Sequence, residues 1–555
     1  MRTVTPTLAR AAVSGLCAVL AVGPALGATA QEPGAPADDP IPLYETLGDY
    51  SRTITTDSDL AQAYFNQGLR LAYGFGRLDA AHSFRAAQLH DPDCAMCYWG
   101  EAWMLGPYQN NPAGVGSLER AQEAAREALD RIEGTRSWEA ALIRAMVERY
   151  SAPGNGDGGD RPYGQGATDP GGVQVNAQGY ADAMAQAARA HPEDLDVRVV
   201  YAESLMALRP WDLWEDAHHP HEETVEVVRE LEAVLARDMG HAGACHLYIH
   251  AVEESAEPER AEACADLLAA AIPGASHVQH MPSHIYMRIG RYGDAVRANQ
   301  QARIVDQRAE LGETFAVYPP HNTGMLVFAA WMDGQSGVAL SAARDMGRET
   351  PDDRFQYYLL LARFGHWDRL LAADPGLDDS FQDALVRFAR GLALLRTGDA
   401  RGAEDALERV RTIRSVTPED AVYSFFQHPQ RDLLGVAEGI LAGELAWSRG
   451  SVDEAEAHLR EAIRLEDGLP YSEPEPWPIP ARHVLGAILL EADMPERAEA
   501  VYRESLEVHR ANGWSLKGLS LSLTAQGREF EAAQVDRKFQ EVWKRADVWI
   551  TGSRF

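Results

Sequence analysis

His246 and His250 stand four residues apart and Glu253 follows three later, which places two imidazoles and a carboxylate on one face of a helix. His280 and His284 repeat the histidine pair 34 residues further on, with His277 just ahead of them. Ten of the 18 histidines fall between His218 and His321, so the chemistry is sought in that stretch. Neutral imidazoles with a carboxylate suit copper or zinc, with iron and nickel also fitting, and do not suit calcium or magnesium. If the two helices pack at the usual spacing of about 8–10 Å, the pairs converge on one or two ions. His277, His321 and Glu203 are further candidates, to complete a second metal or to act as a base. Copper in such a site implies oxidative chemistry on a small molecule or peptide. Zinc implies hydrolysis by a polarised water, with Glu253 or Glu203 as base. The competing reading is metal-free: the histidines line a groove, hydrogen-bond one another and receive an extended peptide or a partner protein.

The elements that must hold these residues are helical and repeated. The chain has 555 residues, 46% hydrophobic and 24% charged, the composition of a folded protein. From about residue 43 it is a succession of Ala-rich stretches with Gly at turns and Pro at ends, several of them keeping a 34-residue period. Between residues 61 and 92 the pattern is Tyr64, Gly68, Leu71, Ala80, Phe84, Ala87 and Pro92. This pattern resembles the tetratricopeptide repeat family, and parts of it recur around Ala261, Gly290, Gly391, Gly450 and Gly486. The resemblance implies an all-α solenoid of helical hairpins, about nine pairs in a right-handed superhelix, in which no repeat is stable alone. It also implies that His246, His250, His280, His284 and Glu253 face the concave groove rather than the core, with Glu203 at the matching place in the preceding repeat. Pro282 is expected in the first turn of a helix.

The likeness narrows at Tyr64-Phe65-Asn66-Gln67-Gly68-Leu69, Asp91-Pro92-Asp93-Cys94-Ala95-Met96-Cys97-Tyr98-Trp99-Gly100-Glu101, Tyr248-Ile249-His250-Ala251-Val252-Glu253 and His280-Met281-Pro282-Ser283-His284-Ile285-Tyr286. These segments resemble a group of large exported bacterial tetratricopeptide proteins, over most of the chain. That group commonly carries His-Asn-x-His after the His-Met-Pro-Ser-His segment. Here His321-Asn322-Thr323 is followed by Gly324, so the last ligand position is altered.

Residues 1–30 read as a secretory signal: Arg2 and Arg10, an apolar run, and Ala28-Thr29-Ala30 for cleavage. An uncleaved anchor is the other reading, weakened by Gly15, Gly23 and Pro24 within the run. Cleavage places the mature chain in the periplasm or outside the cell, with no later stretch apolar enough for a stable membrane span. The expected organisation is a tether at 31–42, N-terminal helices at 43–151, a Gly/Asp-rich loop at 152–176 and central helices at 177–346. C-terminal helices at 347–469, a Pro-rich connector at 470–480 and terminal helices at 481–555 complete it. A formal charge of −32, with three lysines in the whole chain, excludes nucleic acid as a partner.

Four cysteines outside the signal suit an oxidising compartment. Cys245 and Cys264 flank a helical turn at similar distances and are candidates for a disulfide that locks the hairpin. Cys94 and Cys97 read as a structural disulfide or buried thiols first, with metal ligation and redox work as alternatives, and Tyr98 excludes c-type haem attachment there. Trp99, Trp103, Trp211 and Trp214 are candidates to line the groove or to pack. His218, His219 and His221 read as a solvated turn. Nucleotide-binding loops and the common hydrolase motifs are absent from the sequence.

Overall fold

The computed structural model describes residues 41–151, 173–373, 376, 380–424 and 426–555. The expected signal, all but the end of the tether and residues 152–172 of the Gly/Asp-rich loop lie outside the described residues.

Helices pair along the chain as antiparallel hairpins. α1 (Asp59–Tyr73) pairs with α2 (Arg77–His90), α3 (Ala95–Leu105) with α4 (Leu118–Asp130), and α5 (Ser137–Arg149) with α6 (Ala177–Ala190). α7 (Leu195–Met206) pairs with α8 (Glu222–Leu235), and α9 (Ala242–Val252) with α10 (Glu262–Ala271). The next leading helix is split into α11 (Ser276–His280) and α12 (Pro282–Arg288), which share the partner α13 (Tyr292–Ala309). α14 (Pro319–Met332) pairs with α15 (Ser336–Glu349), α16 (Phe355–Arg363) contacts the short α17 (Trp367–Ala372), and α18 (Phe381–Arg396) pairs with α19 (Ala400–Val416). α20 (Gln430–Ser448) with α21 (Val452–Asp467), α22 (Ala481–Glu491) with α23 (Pro495–Val508), and α24 (Gly513–Ala525) with α25 (Glu529–Val542) close the array.

The described residues thus form twelve hairpins where the sequence suggested about nine. The extra ones, such as α5–α6 and α16–α17, lack the Gly and Ala spacing that makes a repeat visible. Where that spacing is present it acts as expected. A Cβ on Gly68 or Gly100 would stand 2.8 or 2.4 Å from the Phe84 ring, so α1 and α3 both close onto α2 through glycine. Tyr502 is enclosed in the same way by Gly486 and Gly518, so the same packing rule recurs near both ends of the array. Caps fix the helix starts: Ser58 accepts from the Ala61 amide at 3.2 Å and Asp194 from the Val197 amide at 3.0 Å. Pro282 opens a helix, as its place in the sequence suggests, but that helix is the second half of a leading helix that begins at Ser276. Lacking an N–H, it cannot continue the α11 ladder.

Two small antiparallel hairpins interrupt the helices, β1 (Trp214–Asp216) with β2 (His219–Pro220) and β3 (Val422–Tyr423) with β4 (His428–Pro429). Trp211, before the first, meets Phe426, at the tip of the second, edge to face at 5.5 Å. Sequence-distant repeats also touch. Arg510 binds Glu259 and the Ala256 carbonyl, each at 2.8 Å, and Arg545 binds Asp333 at 2.6 Å. The C-terminal residues lie against the later repeats: Ser553 donates to the His483 carbonyl at 2.5 Å and Arg396 to the Phe555 carbonyl at 2.9 Å.

Two features tie down α9, the helix that carries the first histidine pair. Cys245 and Cys264 form a disulfide between α9 and α10. With the two cysteines 19 residues apart, closing that loop stabilises the hairpin by roughly 3 kcal/mol. Cys264→Ala is therefore expected to unfold at lower denaturant, and reductant to reproduce the shift in wild type but not in the variant. The second feature is Asp196 at the start of α7. It accepts from Tyr50 at 2.7 Å, from Tyr73 and from Arg52, with His241 Nε2 3.4 Å away. Burial pushes this carboxyl up, but the His241 hydrogen bond and the Arg52 charge outweigh it and hold the group well below the usual carboxylate range. Because the folded state lowers this pKa, its stabilisation is present above the unfolded value near 4 and is lost as pH falls below it. Asp196→Asn should be less stable than wild type at pH 7, with the difference narrowing in denaturant titrations taken toward pH 3.

Candidate metal centre

His246 and His250 project from α9, His277 and His280 from α11, His284 from α12 and His321 from the first turn of α14. The two His-x-x-x-His pairs approach each other at His250 and His284, whose rings are 5.7 Å apart, but each pair gathers its third histidine from the next leading helix rather than from the other pair. The structure gathers six histidines into two trios. Ring nitrogens of His246, His250 and His277 lie within 4.8 Å of one another, and so do those of His280, His284 and His321. A third group joins His250 to Glu253 and Glu473 within the same limit.

The groove expected to present these residues is closed. His246 and His280 are 0% exposed and His250 is 4% exposed, because aromatic side chains from distant repeats cover them. The Phe75 ring, in the α1–α2 turn, lies 4.2 Å from His246 and stacks on His250 and His277 at 5.7 and 5.6 Å. Tyr318 stands edge-on to His277 at 5.2 Å, and Trp211 edge-on to His250 at 6.5 Å. Phe75, Trp211 and Tyr318 have φ of 58°, 60° and 55°, the left-handed region that large side chains seldom enter. Such residues cost on the order of 1–3 kcal/mol each and persist where their surroundings over-determine them, commonly at functional sites. Three of them converge on one histidine cluster.

The hydrogen bonds fix which ring nitrogen carries the proton. His246 Nδ1 lies 2.6 Å from the Tyr73 carbonyl oxygen, which can only accept, so Nδ1 donates and the neutral ring keeps a bare Nε2. His280 Nδ1 faces Asn299 Oδ1 at 2.8 Å, and Asn299 Nδ2 is already donating to the Ala295 carbonyl. Glu253 accepts from His250 Nδ1 at 3.1 Å on one oxygen and from His284 Nδ1 at 2.5 Å on the other. Four imidazoles therefore turn their Nε2 atoms inward. His280 Nε2 and His284 Nε2 are 2.7 Å apart, His246 Nε2 and His277 Nε2 are 3.2 Å apart, and His250 Nε2 is buried with no hydrogen-bond partner. At the His280–His284 distance two bare nitrogens repel unless a proton or a cation sits between them, whereas His277 Nδ1 is buried without a partner, so its Nε2 is free to carry a proton toward His246. Nitrogens shared by one ion at about 2.0–2.1 Å in a tetrahedral shell stand about 3.3 Å apart, which the His246–His277 pair matches, while the 2.7 Å His280–His284 pair has to open to admit an ion.

Electrostatics agrees with the geometry. Burial, with neighbouring imidazoles, drives His246, His277 and His280 well below the ordinary histidine range, lowers His250, and takes His321 to about 3. These rings stay neutral, the form that ligates metal. Burial alone would raise Glu253, but its close interaction with His284 and the hydrogen bonds from His250 and His284 hold it well below the carboxylate range. Glu473, raised by burial and then by the charge of Glu253, is held protonated.

Several sequence-named residues have other tasks. Both oxygens of Glu253 orient histidines, so it is a positioning carboxylate rather than a free base. Glu203 lies outside the metal groups: it pairs with Arg77 and accepts from Trp103 Nε1. Arg77 in turn lies 4.0 Å over Tyr108, whose hydroxyl bonds that of Tyr318, so Glu203 braces the aromatic wall. Cys94 and Cys97 form a disulfide that is 1% and 0% exposed, sealed from exchange with outside thiols. Trp99 and Trp103 stack on each other, and Trp214 donates to the Ala251 carbonyl of α9 at 2.9 Å. His219 pairs with Asp216 at the solvent-exposed β1–β2 tip, apart from the cluster.

Glu473 gives no sequence signal, standing in the Pro-rich segment read as a connector. Phe75 and Tyr318 are equally silent, as their roles depend on closure between repeats. One departure hints at the change: Gly324, where the resembling group carries His, lies beside Pro474, next to Glu473.

No protein-family model matches the chain, and no curated protein matches it. Solved structures do. The APC/C hetero-tetramer Cut9-Hcn1 is 12% identical over 89% of this chain and 78% of that one, with a TM-score of 0.29. Human IFIT1 dimer with m7Gppp-AAAA is 13% identical over 88% and 91%, with a TM-score of 0.30, and the P58(IPK) TPR domain 13% over 84% and 98%, with a TM-score of 0.22. The architecture is all-α and of tetratricopeptide type. That assignment stands on the hairpins and their glycine–aromatic packing described above.

Proposed function

We propose that this chain is an exported tetratricopeptide solenoid that holds transition metal, copper or zinc with iron also fitting, in two adjoining trihistidine sites and uses it on a small molecule or peptide. The observation that carries the reading is the set of imidazoles whose Nδ1 protons are committed outward, to Tyr73, Asn299 and Glu253, leaving Nε2 lone pairs turned inward in a buried cluster. Outer acceptors of this kind fix tautomer and ring orientation at metal sites. Bound there, copper would supply one-electron chemistry and zinc a polarised water. The protein's own part is to exclude water with Phe75, Tyr318 and Trp211, to orient His250 and His284 through Glu253, and to keep a proton on Glu473 at the edge of the site. Export is supported by the two disulfides, which suit an oxidising compartment. No helix among the described residues is long and apolar enough to cross a membrane.

The metal-free alternative, a scaffold for a partner protein or peptide, has the architecture in its favour. Burial of the histidines argues against their serving a peptide, and the groove of the later repeats already holds the chain's own C-terminal residues. Thermal melts of chelator-stripped protein test between the two. Added copper(II) or zinc(II) should raise the midpoint, since a ligand at 100 times its Kd stabilises by about 2.7 kcal/mol, whereas magnesium should not. Unchanged midpoints with every transition metal would favour the scaffold.

A further inference from the structure

The leading helices α16, α18, α20 and α22 stand side by side, and residues 553–555 cross them at the ends where Arg363, Arg396 and Glu491 are the last residues of α16, α18 and α22. Each of the three residues meets a different set of groups. Ser553 is 0% exposed: its hydroxyl donates to the His483 carbonyl at 2.5 Å and accepts from the Tyr502 hydroxyl at 2.8 Å, while Arg363 donates to its carbonyl at 3.2 Å. Arg554 donates to Glu491 at 2.8 Å and lies 3.4 Å from Glu444, in the last turns of two helices, where a cation is favoured. The Phe555 ring meets Trp514 edge to face at 5.9 Å, and a Cβ on Gly365, whose φ is 67°, would stand 2.9 Å from that ring. The fit is incomplete at the arginine. One oxygen of the buried Glu444 is shared between Arg396 and Arg554, while the other, Oε2, is buried with no hydrogen-bond partner. Arg554 Nε is likewise buried and unpaired. Buried donors and acceptors left unpaired cost stability, so the groove offers an arginine more than residues 553–555 use.

We propose that this groove recognises an extended partner peptide of the form Ser-Arg-aromatic, and that residues 553–555 fill it in its latent state. The serine slot is closed on all sides and admits nothing larger. Two carboxylates demand a cation, and the planar fork of a guanidinium can engage both. Trp514 and the space left by Gly365 take the ring. A formal charge of −32 favours a basic partner over an acidic one. The chain's own segment competes as an intramolecular ligand, at an effective concentration on the order of mM. A partner displaces it by making the contact that the tethered segment leaves unmade: a peptide not held through α25 can advance its arginine onto Glu444 Oε2. The inference lies apart from the metal reading and stands without it.

Fluorescence anisotropy on the full chain tests this, with a fluorescein-labelled peptide of residues 549–555 as the probe. In wild type the tethered segment competes, so uptake should be weak. Arg554→Glu in the chain drives that segment away from Glu444 and Glu491, and this variant should bind the peptide at least tenfold more tightly than wild type. Arg554→Gln, which removes the charge without repulsion, should show the same effect to a smaller degree. Placing Arg554→Met in the peptide should cost at least tenfold in affinity for the Arg554→Glu chain, and so should adding Glu491→Gln to that chain. Glu491 is 49% exposed, so its substitution does not threaten folding, and circular dichroism verifies the fold of every variant. No binding to either folded Arg554 variant, or binding indifferent to the peptide's arginine, would overturn the proposal and leave residues 553–555 as a structural clasp. A wild-type chain that is dimeric by light scattering and dissociates on adding peptide would make a second copy the occupant and overturn the external partner.

Discussion

His284→Ala is expected to lower copper(II) or zinc(II) affinity by more than about 100-fold, because outer-sphere partners alone are worth 10–100-fold and this residue offers a nitrogen directly. His284 holds two contacts at once, Nε2 against His280 and Nδ1 on Glu253, so its removal also frees the carboxylate that orients His250. The metal-dependent rise in melting temperature should vanish with it. Stripped protein should also lose stability, because the buried Glu253 carboxylate loses its 2.5 Å partner, so the affinity comparison is made at a temperature where both proteins are folded. Competition with a coloured chelator reads the affinity. His218→Ala and His219→Ala should leave it unchanged, because that turn lies outside both trios. Equal loss from the turn variants would mean that adventitious surface binding had been measured.

Arg77→Met should be the most destabilising single change in the wall. The Arg77 and Glu203 side chains are 2% and 6% exposed, so water screens their attraction little, and removing one partner leaves the other charged and buried. Breaking such a pair costs about 3–5 kcal/mol, whereas replacing both partners by apolar residues is often nearly neutral. Arg77→Met/Glu203→Met should therefore recover most of the loss in urea titrations. The single variant also removes the guanidinium over Tyr108 and loosens Tyr318 against His277, so metal release should be faster than in wild type. A double variant as unstable as the single would show that Arg77 stabilises through packing rather than through the pair.

What was legible in the sequence follows from how far apart the interacting residues lie. The hairpins around Gly68 and Gly486 were visible because a repeat needs a small residue wherever two helices enclose an aromatic ring, and that need recurs at a fixed spacing. The histidine pairs were visible for the same reason: consecutive repeats place equivalent positions side by side. Burial was not visible. It depends on Phe75, Trp211 and Tyr318, which reach the cluster from repeats more than 30 residues from any histidine they cover or from turns with no regular pattern. Glu473 could not be found at all, because a Pro-rich segment has no helical register from which to infer its direction. Glu203 was in register with His250, yet a buried arginine three helical hairpins earlier in the chain had claimed it. Register along one solenoid predicts neighbours along it and says nothing of side chains that cross between its turns.

The central claim is that the inward-facing imidazoles hold metal, and elemental mass spectrometry on mature protein purified without an affinity His-tag tests it most directly. Wild type is compared with His250→Ala/His284→Ala, both as isolated and after reconstitution with copper, zinc and iron followed by desalting. The account predicts near-stoichiometric copper or zinc in wild type, one or two ions per chain, and its loss from the double variant. Metal absent from both proteins even after reconstitution, or retained equally by both, would contradict it.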